Sequence, residues 1–130
     1  MKNYKQFKIQ LDEEACPVAT RDLHVNVENR QHAIDEYVYG PANPNEPGDY
    51  WSRLGKIWGI SPEEASTMRC HNCAAFNVSP KMKKCMADAI GPNGMAVVDQ
   101  AELGYCELLQ FKCAGDRSCS VWLTNGPITK

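Results

Sequence analysis

Apolar residues along this chain recur in short, mismatched patterns rather than in long periodic runs. Phe7, Ile9 and Leu11 alternate with polar residues over Lys5 to Leu11, the period of a half-buried strand. Cys16-Pro17 breaks that pattern. From residue 21 to 39 the aliphatics are spaced among polar residues, and Val25, Val27 and the run Tyr37, Val38, Tyr39 favour short strands. Residues 40–49 read Gly-Pro-Ala-Asn-Pro-Asn-Glu-Pro-Gly-Asp. Prolines and glycines at that density exclude a helix and make a turn-rich linker, the sharpest internal boundary.

Helical signals begin beyond the linker. Asp49 is placed to cap a helix in which Tyr50, Leu54, Ile57 and Trp58 share one face, and Gly59 suits its end. Ser61-Pro62-Glu63-Glu64 is a capping box that opens a second helix, predicted to run to about Met68 and to deliver Cys70 from a rigid end. After Cys73 the pattern is irregular. Ser79-Pro80 opens a helical turn over Lys81 to Asp88, Gly91-Pro92-Asn93-Gly94 is a tight turn, and residues 95–98 are apolar. Gly104-Tyr105-Cys106 opens a last segment that ends in Asn125-Gly126-Pro127.

These patterns predict a small, irregular α+β fold of short helices and few short strands. Residues 1–130 read as a single domain: an N-terminal extension over 1–48, a helical hairpin over 49–68 and a module over 69–130. The first 39 residues are too few to fold alone.

Composition refines this picture. With 43% hydrophobic residues in a chain of 130, a core is available but not a large one, and eight prolines with nine glycines point to loops. The net charge is −2, and the halves differ little: residues 1–69 carry 8 basic and 11 acidic groups, residues 70–130 carry 6 and 5. Neither half makes a field for a polyanion. Leu54 to Ala65 has the look of a helix-turn-helix, but Glu63 and Glu64 would repel phosphate at the start of its second helix, so a helical hairpin without nucleic-acid binding is expected. No stretch approaches the length of a membrane span, and Met1 to Leu11 lacks an apolar signal core. A soluble protein made in a reducing cytosol is the expectation. No phosphate loop or nucleophile elbow is present, which gives no ground for an enzyme.

The chemistry concentrates in cysteine. Of seven, Cys16, Cys70, Cys73, Cys85, Cys106, Cys113 and Cys119, six fall in the last 61 residues. In a cytosolic chain that density points to metal more than to disulfides. Cys70-His71-Asn72-Cys73 is the sharpest signal, since two thiolates three residues apart can bind one metal or cluster from a single turn. The alternatives for that pair are a disulfide or a redox couple. A four-cysteine zinc site competes with a cluster, although no second C-x-x-C follows. His71 is expected to be an exposed loop residue, and Cys16 a small buried one. Cys85 and Cys113 can pair with each other, replace a ligand or stay free.

Cys70-His71-Asn72-Cys73-Ala74-Ala75-Phe76, then Tyr105-Cys106-Glu107-Leu108-Leu109, then Cys119-Ser120-Val121-Trp122 with Asn125-Gly126, resembles the high-potential iron–sulfur proteins. The resemblance spans about residues 69–127. It implies a [4Fe–4S] cluster held by Cys70, Cys73, Cys106 and Cys119, a one-electron carrier function and a redox partner protein. The 32 residues between Cys73 and Cys106 exceed the family's spacing, and the family lacks counterparts of Cys85 and Cys113, which stand as alternate ligands. Phe76, Tyr105, Phe111 and Trp122 lie near the cysteines in sequence and are expected to keep water out. Ala15-Cys16-Pro17-Val18-Ala19-Thr20, Gly48-Asp49-Tyr50-Trp51 and Gly126-Pro127-Ile128 are similar to segments of small tailed-phage proteins. That likeness implies synthesis in a bacterial host cytoplasm and a place in a virion, where a cluster or zinc site would staple a small domain.

Overall fold

The computed structural model of the chain describes residues 16–130, so the alternation over Lys5 to Leu11 lies outside the described residues. The described part is α+β, with six α-helices, one 3₁₀ turn and one three-stranded antiparallel sheet. In chain order the elements are α1 (Val18–Arg21), α2 (Leu23–Tyr37), α3 (Tyr50–Trp58), α4 (Pro62–Ala65), the 3₁₀ turn Cys70–Asn72, β1 (Phe76–Asn77), α5 (Pro80–Ile90), α6 (Gly94–Gln100), β2 (Leu103–Cys106) and β3 (Phe111–Ala114).

The largest departure from the sequence pattern is α2, where a 15-residue helix replaces the expected short strands. Its start explains why. The Asp22 carboxylate accepts hydrogen bonds from the backbone N–H of His24 at 3.0 Å and Val25 at 3.2 Å, satisfying donors that the first helical turn leaves free. Its inner face is Asn26, Ala33, Ile34 and Tyr37, spaced for a helix but small or polar, so hydrophobicity hardly marks it. Asn26 then acts as a tie: its side-chain oxygen accepts from Lys112 N at 2.7 Å on β3. Val38, left-handed at φ 56°, ends the helix.

The hairpin over 49–68 forms with altered detail. Asp49 stands at the start of α3 without a side-chain capping bond. Trp51 is buried beside Tyr50 and Leu54, whereas Ile57 faces solvent. Gly59 ends the helix at φ 74°, as a left-handed end requires. Ser61 caps α4 by accepting from Glu64 N at 3.1 Å, but the helix stops at Ala65 rather than near Met68. Cys70 therefore emerges from a turn, not from a helix end. Ser79 caps α5, which extends past Asp88 to Ile90, and the apolar run 95–98 belongs to a further helix, α6.

The sheet order is β1-β2-β3, with Phe76 opposite Cys106, Cys106 opposite Phe111 and Gly104 opposite Cys113. Alternation along each strand puts Phe76, Gly104, Cys106, Phe111 and Cys113 on one face, and Leu103 and Tyr105 on the other. Each face meets its own core. The first packs with Ala33, Tyr39, Cys70, Cys73 and Cys119, the second with Met82, Met86 and Val98 of α5 and α6. A third cluster, Tyr50, Trp51, Leu54 and Ala65, holds the hairpin together.

Candidate metal centre

Five cysteines are free and buried: Cys70, Cys73, Cys106, Cys113 and Cys119, none more than 8% exposed. They line one small apolar cavity, and Phe76 and Trp122 complete its walls.

Three chain segments deliver these thiols. The 3₁₀ turn supplies the first two. Cys70 N donates to Arg117 O at 2.6 Å and Cys73 N to Cys70 O at 2.9 Å, which pins the turn to the C-terminal loop. Cys106 ends β2 and Cys113 lies on β3, joined by a tight turn in which Gln110 takes φ 60° and donates to Cys106 O at 2.7 Å. Cys119 sits between two anchors to the end of α2 and the residues after it. Ser118 N donates to Gly40 O at 2.7 Å, and Ser120 N donates to Tyr37 O at 2.7 Å.

Backbone amides are aimed at the sulfurs. Ala75 N lies 3.5 Å and Leu123 N 3.4 Å from Cys73 Sγ, and Leu109 N lies 3.3 Å from Cys106 Sγ. Leu108 adds a second amide to Cys106, and Val121 gives one to Cys119. Burial pushes the Cys106 thiol up to about 11 and the Cys119 thiol up to about 12, against the pull of those amides. Burial also raises Cys113 well above the ordinary thiol range, and the neighbouring Cys70 thiol adds to that rise. Without a bound group, burial favours the neutral thiol at Cys106, Cys113 and Cys119.

The surrounding shell is tightly tied. Trp122 Nε1 donates toward Arg69 O at 2.8 Å and Asn72 Oδ1 at 3.1 Å, so the residue between the paired cysteines also fixes the tryptophan wall. Trp58 packs at a tilt on Trp122 and donates from Nε1 to Ser120 O at 3.1 Å. The Tyr50 hydroxyl reaches the carbonyls of Val38 at 2.6 Å and Ser118 at 2.9 Å. The hairpin thus holds the loop that carries Cys119. Beside the cavity, two glycines are required by close approach. A Cβ on Gly104 would strike the Phe76 ring, and one on Gly126 would strike the backbone of Cys73 and Ala74. Phe76 lines both this cavity and an open cleft whose rim includes His71, Lys83, Asp99 and Glu102.

Against the sequence expectations, Cys70, Cys73, Cys106 and Cys119 gather at one cavity, and Cys113 joins them. Cys85 does not. Its sulfur is bonded to Cys16 across 69 residues, which corrects both its role as an alternate ligand and its pairing with Cys113. Cys16 is half of that disulfide rather than a small buried thiol. Phe111 shares the thiol-bearing core and packs edge-on to Tyr39 at 4.8 Å without lining the cavity. Tyr105 lies on the opposite sheet face, where its hydroxyl donates to Gln110 Oε1 at 2.8 Å, so it does not shield the thiols. The part Asn72 plays in holding Trp122 and the part Tyr50 plays in holding the Cys119 loop were not visible in the sequence. The strand alternation Phe111-x-Cys113, with Cys106 opposite, was the available signal for the fifth thiol.

Among the described residues, no three His, Cys, Asp or Glu side chains are grouped as around a single metal ion. The donors this cavity offers are soft thiols, with amides directed at sulfur, in an apolar interior. No helix among the described residues is long and apolar enough to cross a membrane. No family model matches the chain, and neither curated proteins nor solved structures gave a match.

Proposed function

We propose that this chain is an iron–sulfur protein that binds one [4Fe–4S] cluster through four of its buried cysteines and acts as a one-electron carrier of the high-potential type. The observation that carries this reading is the convergence of thiols from three chain segments on one apolar cavity, with backbone amides pointed at their sulfurs. Cys70, Cys73, Cys106 and Cys119 are the ligands that the family resemblance favours. When bound, the cluster would supply a one-electron couple. The chain would supply the rest. Its amides offset the negative charge of the thiolate-ligated site, and Phe76 and Trp122 keep water away. A redox protein is the proposed partner.

Zinc fits less well, because four sulfurs about 2.3 Å from one ion must crowd together, and no such grouping is present among the described residues. A structural role is the second reading, and one observation favours it. The free thiols make up half of the largest buried cluster, so a group bound there would staple the core. In that case the partners would be neighbouring virion proteins. The Cys16–Cys85 bond supports residence where disulfides persist, rather than a reducing cytosol.

Anaerobic reconstitution with ferrous iron and sulfide tests the proposal. Uptake of about four irons and four sulfides per chain, with visible absorption, is expected. A colourless protein that retains a single zinc would replace it with the zinc alternative. Redox titration of the loaded protein then separates the two roles: a reversible one-electron wave marks a carrier, and a cluster that does not cycle marks a staple.

A further inference from the structure

Three of the five sulfurs receive backbone amides. Cys73 is approached by Ala75 and Leu123, Cys106 by Leu109 and Leu108, and Cys119 by Val121. The other two, Cys70 and Cys113, are neighbours at the cavity wall. They come from unrelated elements, the 3₁₀ turn and the middle of β3, yet line the same cavity. A cubane cluster takes four thiolates, and five are present.

From this division we infer that three corners of the bound cluster are fixed by Cys73, Cys106 and Cys119, and that the fourth corner is served by either Cys70 or Cys113. The inference rests on the iron–sulfur reading above and goes beyond it. The family resemblance names Cys70 alone for this corner and has no counterpart of Cys113. Exchange at the corner needs no oxidant. Whichever of Cys70 and Cys113 held the group would do so as a thiolate, having given up its proton, while the other would keep its proton, so the exchange would change no oxidation state. Cys113 is held by the strand ladder opposite Gly104, whereas Cys70 is held by the turn's bond to Arg117, so the two thiols are positioned independently.

The test is anaerobic reconstitution of the full chain and of Cys70→Ala, Cys113→Ala, the Cys70→Ala/Cys113→Ala double variant and Cys106→Ala. Iron and acid-labile sulfide per chain are measured, with circular dichroism as the check of folding. Each of the first two single variants is expected to lose no more than about twofold in iron content, and the double variant and Cys106→Ala more than about tenfold, a coupling that non-additive neighbours show. A folded Cys70→Ala chain that loses iron as completely as Cys106→Ala overturns the shared corner while leaving the cluster reading intact. A wild-type chain that takes up no iron overturns both. Should an alanine variant fail to fold, the valine substitution at that position fills the space without offering a donor and is judged by the same criterion.

Discussion

At the residue scale, a buried thiol without metal is governed by its proton. Cys106 and Cys119 move from 9.0 to about 11 and about 12, chiefly through burial. Between pH 9 and those values the folded chain holds protons that the unfolded chain has lost, so folding binds more protons and stability falls as pH rises. The metal-free protein should therefore be at full stability below about pH 9 and weaken progressively toward pH 11 to 12, as thermal unfolding across that range would record; a flat profile would contradict the burial of these thiols. Gly126 makes a different residue-scale prediction. Because a side chain there meets backbone rather than a movable side chain, Gly126→Ala should destabilise the fold by about 1–3 kcal/mol, read from the denaturant midpoint at unchanged slope.

At the scale of elements, caps and turns were legible in the sequence, and inner faces were not. Ser61, Ser79 and Gly59 act where their residue types predict, because a cap depends on a few neighbouring atoms. Helix α2 was hidden because its buried stripe uses Asn26 and Ala33, whose worth lies in contacts with β3 that no local pattern displays. Asp22→Ala removes its capping bonds and should cost about 1 kcal/mol, measurable by chemical denaturation. Tyr50→Phe tests the link from the hairpin to the loop that carries Cys119. The loss of a hydrogen bond that bridges Val38 and Ser118 should lower stability by about 0.5–1.5 kcal/mol and slow reconstitution with iron, whereas unchanged uptake would show that the loop is held without it.

For the whole molecule, the Cys16–Cys85 bond closes a loop of 69 residues. On the chain-entropy model such a closure is worth about 4 kcal/mol. The Cys16→Ser/Cys85→Ser variant should lose stability up to that amount yet bind as much metal as the wild type, since neither sulfur reaches the cavity. Reduced metal content in a folded variant would return Cys85 to the ligand set. Sequence spacing could not find this bond, because Cys16, two residues before α1, and Cys85 in α5 meet only through tertiary packing. The four cysteines singled out by motif do assemble, while Cys113 became visible only once β2 and β3 were paired.

The order of the thiols along the polypeptide has a consequence during synthesis. Cys70 and Cys73 leave the ribosome well before Cys119, and the turn that bears them is tied to Gly115 and Arg117 and backed by Leu123. No nascent intermediate ending before those residues can present the finished sulfur cage. The full set of five thiols can therefore come together only after translation has passed them, when the other elements are already free to fold.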